Sequence, residues 1–153
     1  MDERADEALM AEALAEARRG LDAGEVPVGA LVVVDGAIVA RAHNAPIALA
    51  DPTAHAEILA LREAARTRGN YRLAGASVYT TVEPCPMCCG AILHARVSRV
   101  VYGASDPKAG AVDSLYRLLD DPRLNHRVTA RGGVLAADCA RLLRAFFESK
   151  RAT

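Results

Sequence analysis

No stretch of this 153-residue chain approaches the ~18 consecutive apolar residues of a membrane span, so a membrane-spanning helix is excluded. The N-terminus, MDERADEALM, is acidic and lacks the basic and apolar regions of a signal peptide, and a cytoplasmic location is expected. Charge shows no excess of either sign: Lys and Arg total 19, as do Asp and Glu. Bulk charge therefore advertises no nucleic-acid partner and leaves room only for a local basic patch. Repeats, low-complexity tracts and long linkers are missing, so residues 1–153 are expected to form a single domain with one ordinary core. Cysteine is sparse, at four residues. In a reducing compartment these thiols are metal ligands, catalysts or core filler before they are disulfides.

The pattern that is present alternates helices and strands. Residues 4 to 22 read as a helix that stops before Gly24. VGALVVVDGAIVARAHN is a hairpin signal, two β-branched runs joined by Asp35-Gly36, a pair suited to a type I′ turn. DPTAHAEILALREAARTRG reads as a helix with Asp51 as its cap, Pro52 in its first turn and Gly69 past its end. Its spacing makes Ala54, Ile58, Leu61 and Ala65 the buried stripe. ASVYTTV is a strand, CPMCCGAILHA a short helix, SRVVYGA a strand, VDSLYRLLD a helical turn or two, and RVTARG a weak edge strand. The final helix, LAADCARLLRAFFESK, has an expected core stripe of Leu135, Cys139, Leu142 and Phe146. This order predicts an α/β fold, a three-layer α/β/α sandwich around a mixed five-stranded sheet.

Two segments carry chemistry. His55 and Glu57 stand two apart at the head of a helix; such a pair does not share a helix face and converges only near the open first turn. By themselves these are ordinary cap or surface residues. Cys85 and Cys88 share one side of a helical turn whose entry Pro84 and Pro86 fix. Thiols at a helix N-terminus ionise more readily, and the thiolate is the form that binds metal. A lone C-x-x-C also suits redox chemistry or half of a structural zinc site. Joined with His55, it supplies three nitrogen and sulfur ligands and one open position, the composition of a catalytic zinc site. Glu57, outside that ligand set, then has a role as proton carrier.

HAE with PCPMC resembles the zinc-dependent nucleobase deaminases, whose signature is a histidine, a non-ligand glutamate and a Cys-x-x-Cys pair. The likeness extends through VPVGALVV, HNAPI, NYRL, DPKAGAVDSLYRLL, LNHRV and GVLAADCARLLRAFF, from about residue 7 to 150. Across that span the chain resembles the bacterial tRNA-specific adenosine deaminases, and a cytidine deaminase-like fold is implied. The resemblance implies one Zn²⁺ per chain on His55, Cys85 and Cys88, with Glu57 catalytic. It implies a tRNA anticodon stem-loop as partner, arginine tRNA foremost, a homodimer, and conversion of the wobble adenosine to inosine. It assigns Asn44 to the extruded base, and Asp106, Lys108, Asn125, His126 and Phe147 to RNA.

Each of those residues also has a plainer reading. Asn44 suits a turn, Asp106 and Lys108 a solvated loop, His126 a structural contact, and Phe147 simple packing. Arg141, Arg144, Lys150 and Arg151 against Glu148 give the chain's end a local charge of +3 (4 − 1) suited to phosphates. Two positions depart from the family pattern. Cys89 stands where a small residue is expected and is assigned to the core, as is Cys139. Ser105 occupies a position where relatives often carry a charged residue. The alternative enzyme reading is a free-base deaminase of guanine or cytosine, and the non-enzymatic one is a zinc module that binds RNA without needing Glu57.

Overall fold

The computed structural model describes residues 3–151, so the outermost two positions at either end of the expected domain lie outside the described residues. Strands β1 (Gly29–Val34) and β2 (Ala37–His43) pair antiparallel across Asp35 and Gly36. These two residues take φ values of 51° and 77°, the left-handed pair that a type I′ turn requires. β1 also pairs antiparallel with β3 (Ser77–Val82). β3 pairs parallel with β4 (Arg99–Ala104), and β4 with the short edge strand β5 (Thr129–Arg131). The result is the mixed five-stranded sheet that the alternation of elements predicts, and its strand order is β2-β1-β3-β4-β5.

Successive strand residues point to opposite faces, and each face has its own core. Ala30, Val32, Val78, Val100 and Tyr102 pack with Ala56, Ala60 and Ala64 of α3 (Ala56–Arg68) and Ile92 of α4 (Pro86–His94). Leu31, Val33, Tyr79 and Val101 pack with Met10, Ala13 and Leu14 of α1 (Glu3–Asp22) and Cys139 of α5 (Ala136–Arg151). The three layers follow from that period of two. Among these apolar residues α1 buries Asp6, whose carboxylate accepts from Tyr79 Oη at 2.6 Å, Arg99 Nη2 at 2.7 Å and Arg131 Nη1 at 2.6 Å. One carboxylate thereby ties α1 to β3, β4 and β5.

Several local expectations are corrected or narrowed. Helix α3 begins at Ala56, not near Thr53, because Asp51 Oδ1 accepts both the N–H and the hydroxyl of Thr53 and closes a separate turn. Ile58 and Leu61 of the expected stripe are buried, but Ala54 is buried outside the helix and Ala65 is only half-buried, with Ala56, Ala60 and Ala64 completing the buried face. Of the helical turn or two expected over residues 112–120, one 3₁₀ turn is present, Leu118–Asp120, while the amides of Val112, Asp113 and Ser114 are bound to Glu83 instead. In the last helix only Cys139 of the expected stripe is fully buried; Leu135 precedes the helix with φ 53°, and Phe146 lies half-buried.

Candidate active site

Two helix N-termini meet at one end of the sheet. His55 is the residue preceding α3 and Cys85 the one preceding α4, both in extended backbone. Pro86 opens α4 at a position where its missing N–H costs nothing, and one turn on Cys88 lies buried on the same side. His55 is thus not on the helix, and its extended backbone frees it from the helical-wheel separation that sets it apart from Glu57. His55 Nδ1 stands 3.6 Å from Cys85 Sγ and 3.5 Å from Cys88 Sγ. Zinc–sulfur bonds of about 2.3 Å and zinc–nitrogen bonds of about 2.0–2.1 Å at a tetrahedral angle require about 3.6 Å between such atoms. The donor set and its spacing therefore fit zinc. Among the described residues these three form the one group suited to a metal ion.

The site's electrostatics follow from its position. A hydrogen bond from Cys88 lowers Cys85 to about 4; burial opposes this, and His55 adds to the lowering. The proton held between the thiols and burial raise Cys88 above its usual range. The Cys85 contact likewise raises His55. Glu57, in the first turn of α3, is 4% exposed and lies against the Cys88 thiol; burial pushes its carboxyl up to about 7. Cys89 lies outside the His55, Cys85 and Cys88 group, fully buried, with Sγ 3.8 Å from Pro84 O, and burial raises it to about 12. It is core, as expected.

A cavity of about 800 Å³ opens over His55, Glu57 and Cys85. Asn44, Asp106, Lys108 and Phe147 line it, together with Arg144, Lys150 and Arg151. Asn44 Oδ1 accepts the Ala56 N–H at 2.8 Å and so caps α3 from the end of β2. Arg141 lies apart from the cavity's basic rim and pairs with Asp138 at 3.2 Å. Asn125 and His126 are placed elsewhere, beside His94 and Leu118, where His126 Nε2 lies 2.8 Å from Val97 O. In this chain they do not join the metal cavity.

Sequence reasoning passed over two buried carboxylates on the cavity's flanks. Glu25 accepts the N–H groups of Ile47 at 3.2 Å and Ala48 at 2.9 Å, holding the short helix α2 (Pro46–Leu49) that follows Asn44. Glu83, two residues before Cys85, receives the loop that carries Asp106 and Lys108. Burial raises its carboxyl, but hydrogen bonds from the Ser114 hydroxyl and the amides of Asp113, Asp106 and Ser114 outweigh it, leaving Glu83 at about 2. The available signal was an acidic residue closing an apolar strand, TTVEP, where nothing local could satisfy it.

An α/β/α sandwich with a His-Cys-Cys group at two helix starts, and a buried glutamate beside it, defines a zinc-dependent deaminase. Residues 3–104 match the cytidine and deoxycytidylate deaminase zinc-binding region, and the chain belongs to that family. Within it the chain groups with the tRNA-specific adenosine deaminases. The enzyme of that name from Streptococcus pyogenes serotype M1 is 49% identical over 143 residues, covering 94% of this chain and 84% of that protein. The Bacillus subtilis enzyme is 47% identical over 146 residues, covering 95% and 91%. A solved tRNA:A34 deaminase, which edits A to I at the wobble position, superposes with a TM-score of 0.83 at 45% identity, over 86% of this chain and 95% of that one. A guanine deaminase from Nitrosomonas europaea superposes at 0.79 with 27% identity, over 92% and 83%. The family match covers the segments of His55 and of Cys85 and Cys88 and ends before Asp106, so the loop and last helix that complete the cavity lie outside it.

Proposed function

We infer that the protein hydrolyses the wobble adenosine of a tRNA anticodon loop, arginine tRNA foremost, to inosine and ammonia. The observation that carries this reading is one cavity with a deaminase centre as its floor and Lys108, Arg144, Lys150 and Arg151 on its walls. A free base offers those cations no phosphate; an anticodon loop offers several, and its unpaired bases lower the cost of extruding the target.

His55, Cys85 and Cys88 would hold one zinc ion per chain, and the ion would supply the Lewis acidity that makes hydroxide available near neutral pH. Glu57 takes up the attacking water's proton on its carboxylate and returns it to the departing amino group. Its burial keeps bulk water from competing for that proton. The Asn44 side-chain carbonyl is committed to α3, so its NH₂ is the group it offers an acceptor on the extruded base. Phe147, 47% exposed and edge-to-face with Phe146 at 5.3 Å, presents a ring on which a base can stack. Asp106 and Lys108 meet the neighbouring nucleotides from the facing loop.

The whole chain acts as one domain, as a homodimer in the cytoplasm. Exposed Leu115, Tyr116 and Leu124 support self-association, and Leu124 adjoins Asn125 and His126, whose RNA contacts would then be made from that surface. No helix among the described residues is long and apolar enough to cross a membrane. The test is to incubate zinc-replete protein separately with unmodified arginine tRNA, guanine and cytosine. Inosine in the tRNA is expected; turnover of a free base without the tRNA would replace this reading with the free-base alternative.

A further inference from the structure

Glu83 is 2% exposed, yet its carboxylate is filled by a single distant loop. Oε1 accepts the Asp106 N–H at 3.0 Å and the Ser114 hydroxyl at 2.5 Å. Oε2 accepts the N–H groups of Val112 at 3.1 Å, Asp113 at 2.8 Å and Ser114 at 2.9 Å. The backbone on either side repeats the connection. The Glu83 N–H donates to Ala104 O, and the Ala111 N–H to Pro84 O, each at 2.8 Å. Gly110 is required for this approach, since a Cβ there would run into the Glu83 carboxylate.

The loop so gathered presents Asp106 and Lys108 to the cavity. Within it Asp106 Oδ1 accepts the N–H groups of Lys108 at 3.1 Å and Ala109 at 3.3 Å. Asp106 is therefore held at its backbone by Glu83 and in turn orders the residues that follow. Glu83 and Cys85 are only two residues apart, so their Cα atoms lie within about 7 Å. One strand end thus carries a metal ligand and the anchor of the opposite cavity wall.

We propose that Glu83 is a positioning residue for substrate recognition: its five-donor clasp fixes the Asp106–Lys108 loop at a set distance from the metal ligands, so that the loop meets the nucleotides beside the target adenosine. The inference rests on the tRNA reading above. A carboxylate is needed because every partner is a donor. Glutamine would turn an NH₂ group toward amide N–H groups and leave them unpaired.

The test is a double-mutant cycle of Glu83→Gln and Lys108→Ala on an arginine tRNA anticodon stem-loop, with zinc content and stem-loop affinity measured alongside the kinetics. Glu83→Gln should retain its zinc and raise KM and Kd on the order of tenfold, as for broken hydrogen bonds to a charged group. The effect should fall on KM more than on kcat. Lys108→Ala should raise KM in the wild-type background and add little to Glu83→Gln, because the displaced loop no longer presents the lysine. Fully additive effects would overturn the inference, as would zinc loss with an unchanged KM, which would make Glu83 a support of the metal site. If Glu83→Gln does not fold, Ser114→Ala removes one of the five bonds and carries the same cycle, with KM rising roughly threefold. A wild type that turns over guanine but not the stem-loop would overturn the tRNA reading, whereas additivity in an active wild type overturns this inference alone.

Discussion

Replacing Lys150 and Arg151 together with alanine should flatten the salt dependence of tRNA binding without disturbing the fold. Both are exposed in the last turn of α5 and line the cavity wall. The buried anchor of that helix is Cys139, roughly three turns earlier, so the core does not feel the change. Lys150 Nζ lies 5.6 Å from the centre of the Phe146 ring, and removing that exposed cation–π interaction costs about 0.5–1 kcal/mol. A phosphate neutralised on a single strand adds roughly 0.7 to the slope of log K against log salt, so taking away two such cations should lower the slope by about 1.4. Between about 50 and 200 mM salt the wild type should therefore weaken about sevenfold more than the double variant. Lys108 and Arg144 remain in the variant and keep a residual slope. The assay is equilibrium binding of labelled arginine tRNA across a salt series, with zinc content and melting temperature as controls. Parallel lines for the two proteins would refute the assignment of these cations to phosphate.

Cys88→Ser should lose most of the zinc while Cys89→Ala keeps it, because only Cys88 Sγ stands 3.5 Å from His55 Nδ1; the opposite result in metal analysis would refute the ligand set. Asp6→Asn should destabilise the protein by roughly 3 kcal/mol in denaturant titrations, the low end for a broken buried ion pair because Arg99 and Arg131 keep some solvent. The Arg99 and Tyr79 contacts hold the Asp6 carboxyl well below its ordinary 3.8, so its stabilisation is full above that value and declines as pH falls below about 4. The gap between wild type and Asp6→Asn should narrow in that acid range; a gap independent of pH would show that the charge is not what stabilises.

Most of the architecture was legible because it is local. The Asp35-Gly36 turn, the β-branched runs beside it and the Gly69 helix end each announce themselves within a few residues. The candidate zinc ligands were legible because their chemistry admits few other readings once His55 is set beside Cys85 and Cys88. What escaped was set by partners distant in sequence. Asn44 caps α3 from 12 residues upstream, so no local cap marks Ala56 as the first helical residue. Glu83 draws the amides of Val112, Asp113 and Ser114 away from a helix that their own spacing favours. Asp6 looks like a surface residue of an amphipathic helix until Arg99 and Arg131, from two later strands, close over it. Buried acids satisfied by long-range donors leave no periodic signal, and the cavity wall that carries Asp106 and Lys108 depends on one of them, Glu83.

Sequencing arginine tRNA after incubation with zinc-replete wild type and with Glu57→Ala is the measurement closest to the central claim. Glu57 is buried beside His55, Cys85 and Cys88 and lies outside that group suited to a metal ion, so its removal should leave zinc content near the wild-type level. General acid–base groups contribute on the order of 100- to 10,000-fold, and the proposed mechanism gives both proton transfers to this one carboxylate. Inosine at the wobble position is expected with the wild type, and unchanged adenosine there with the variant. A zinc-replete Glu57→Ala protein that forms inosine at near wild-type rate would contradict the claim.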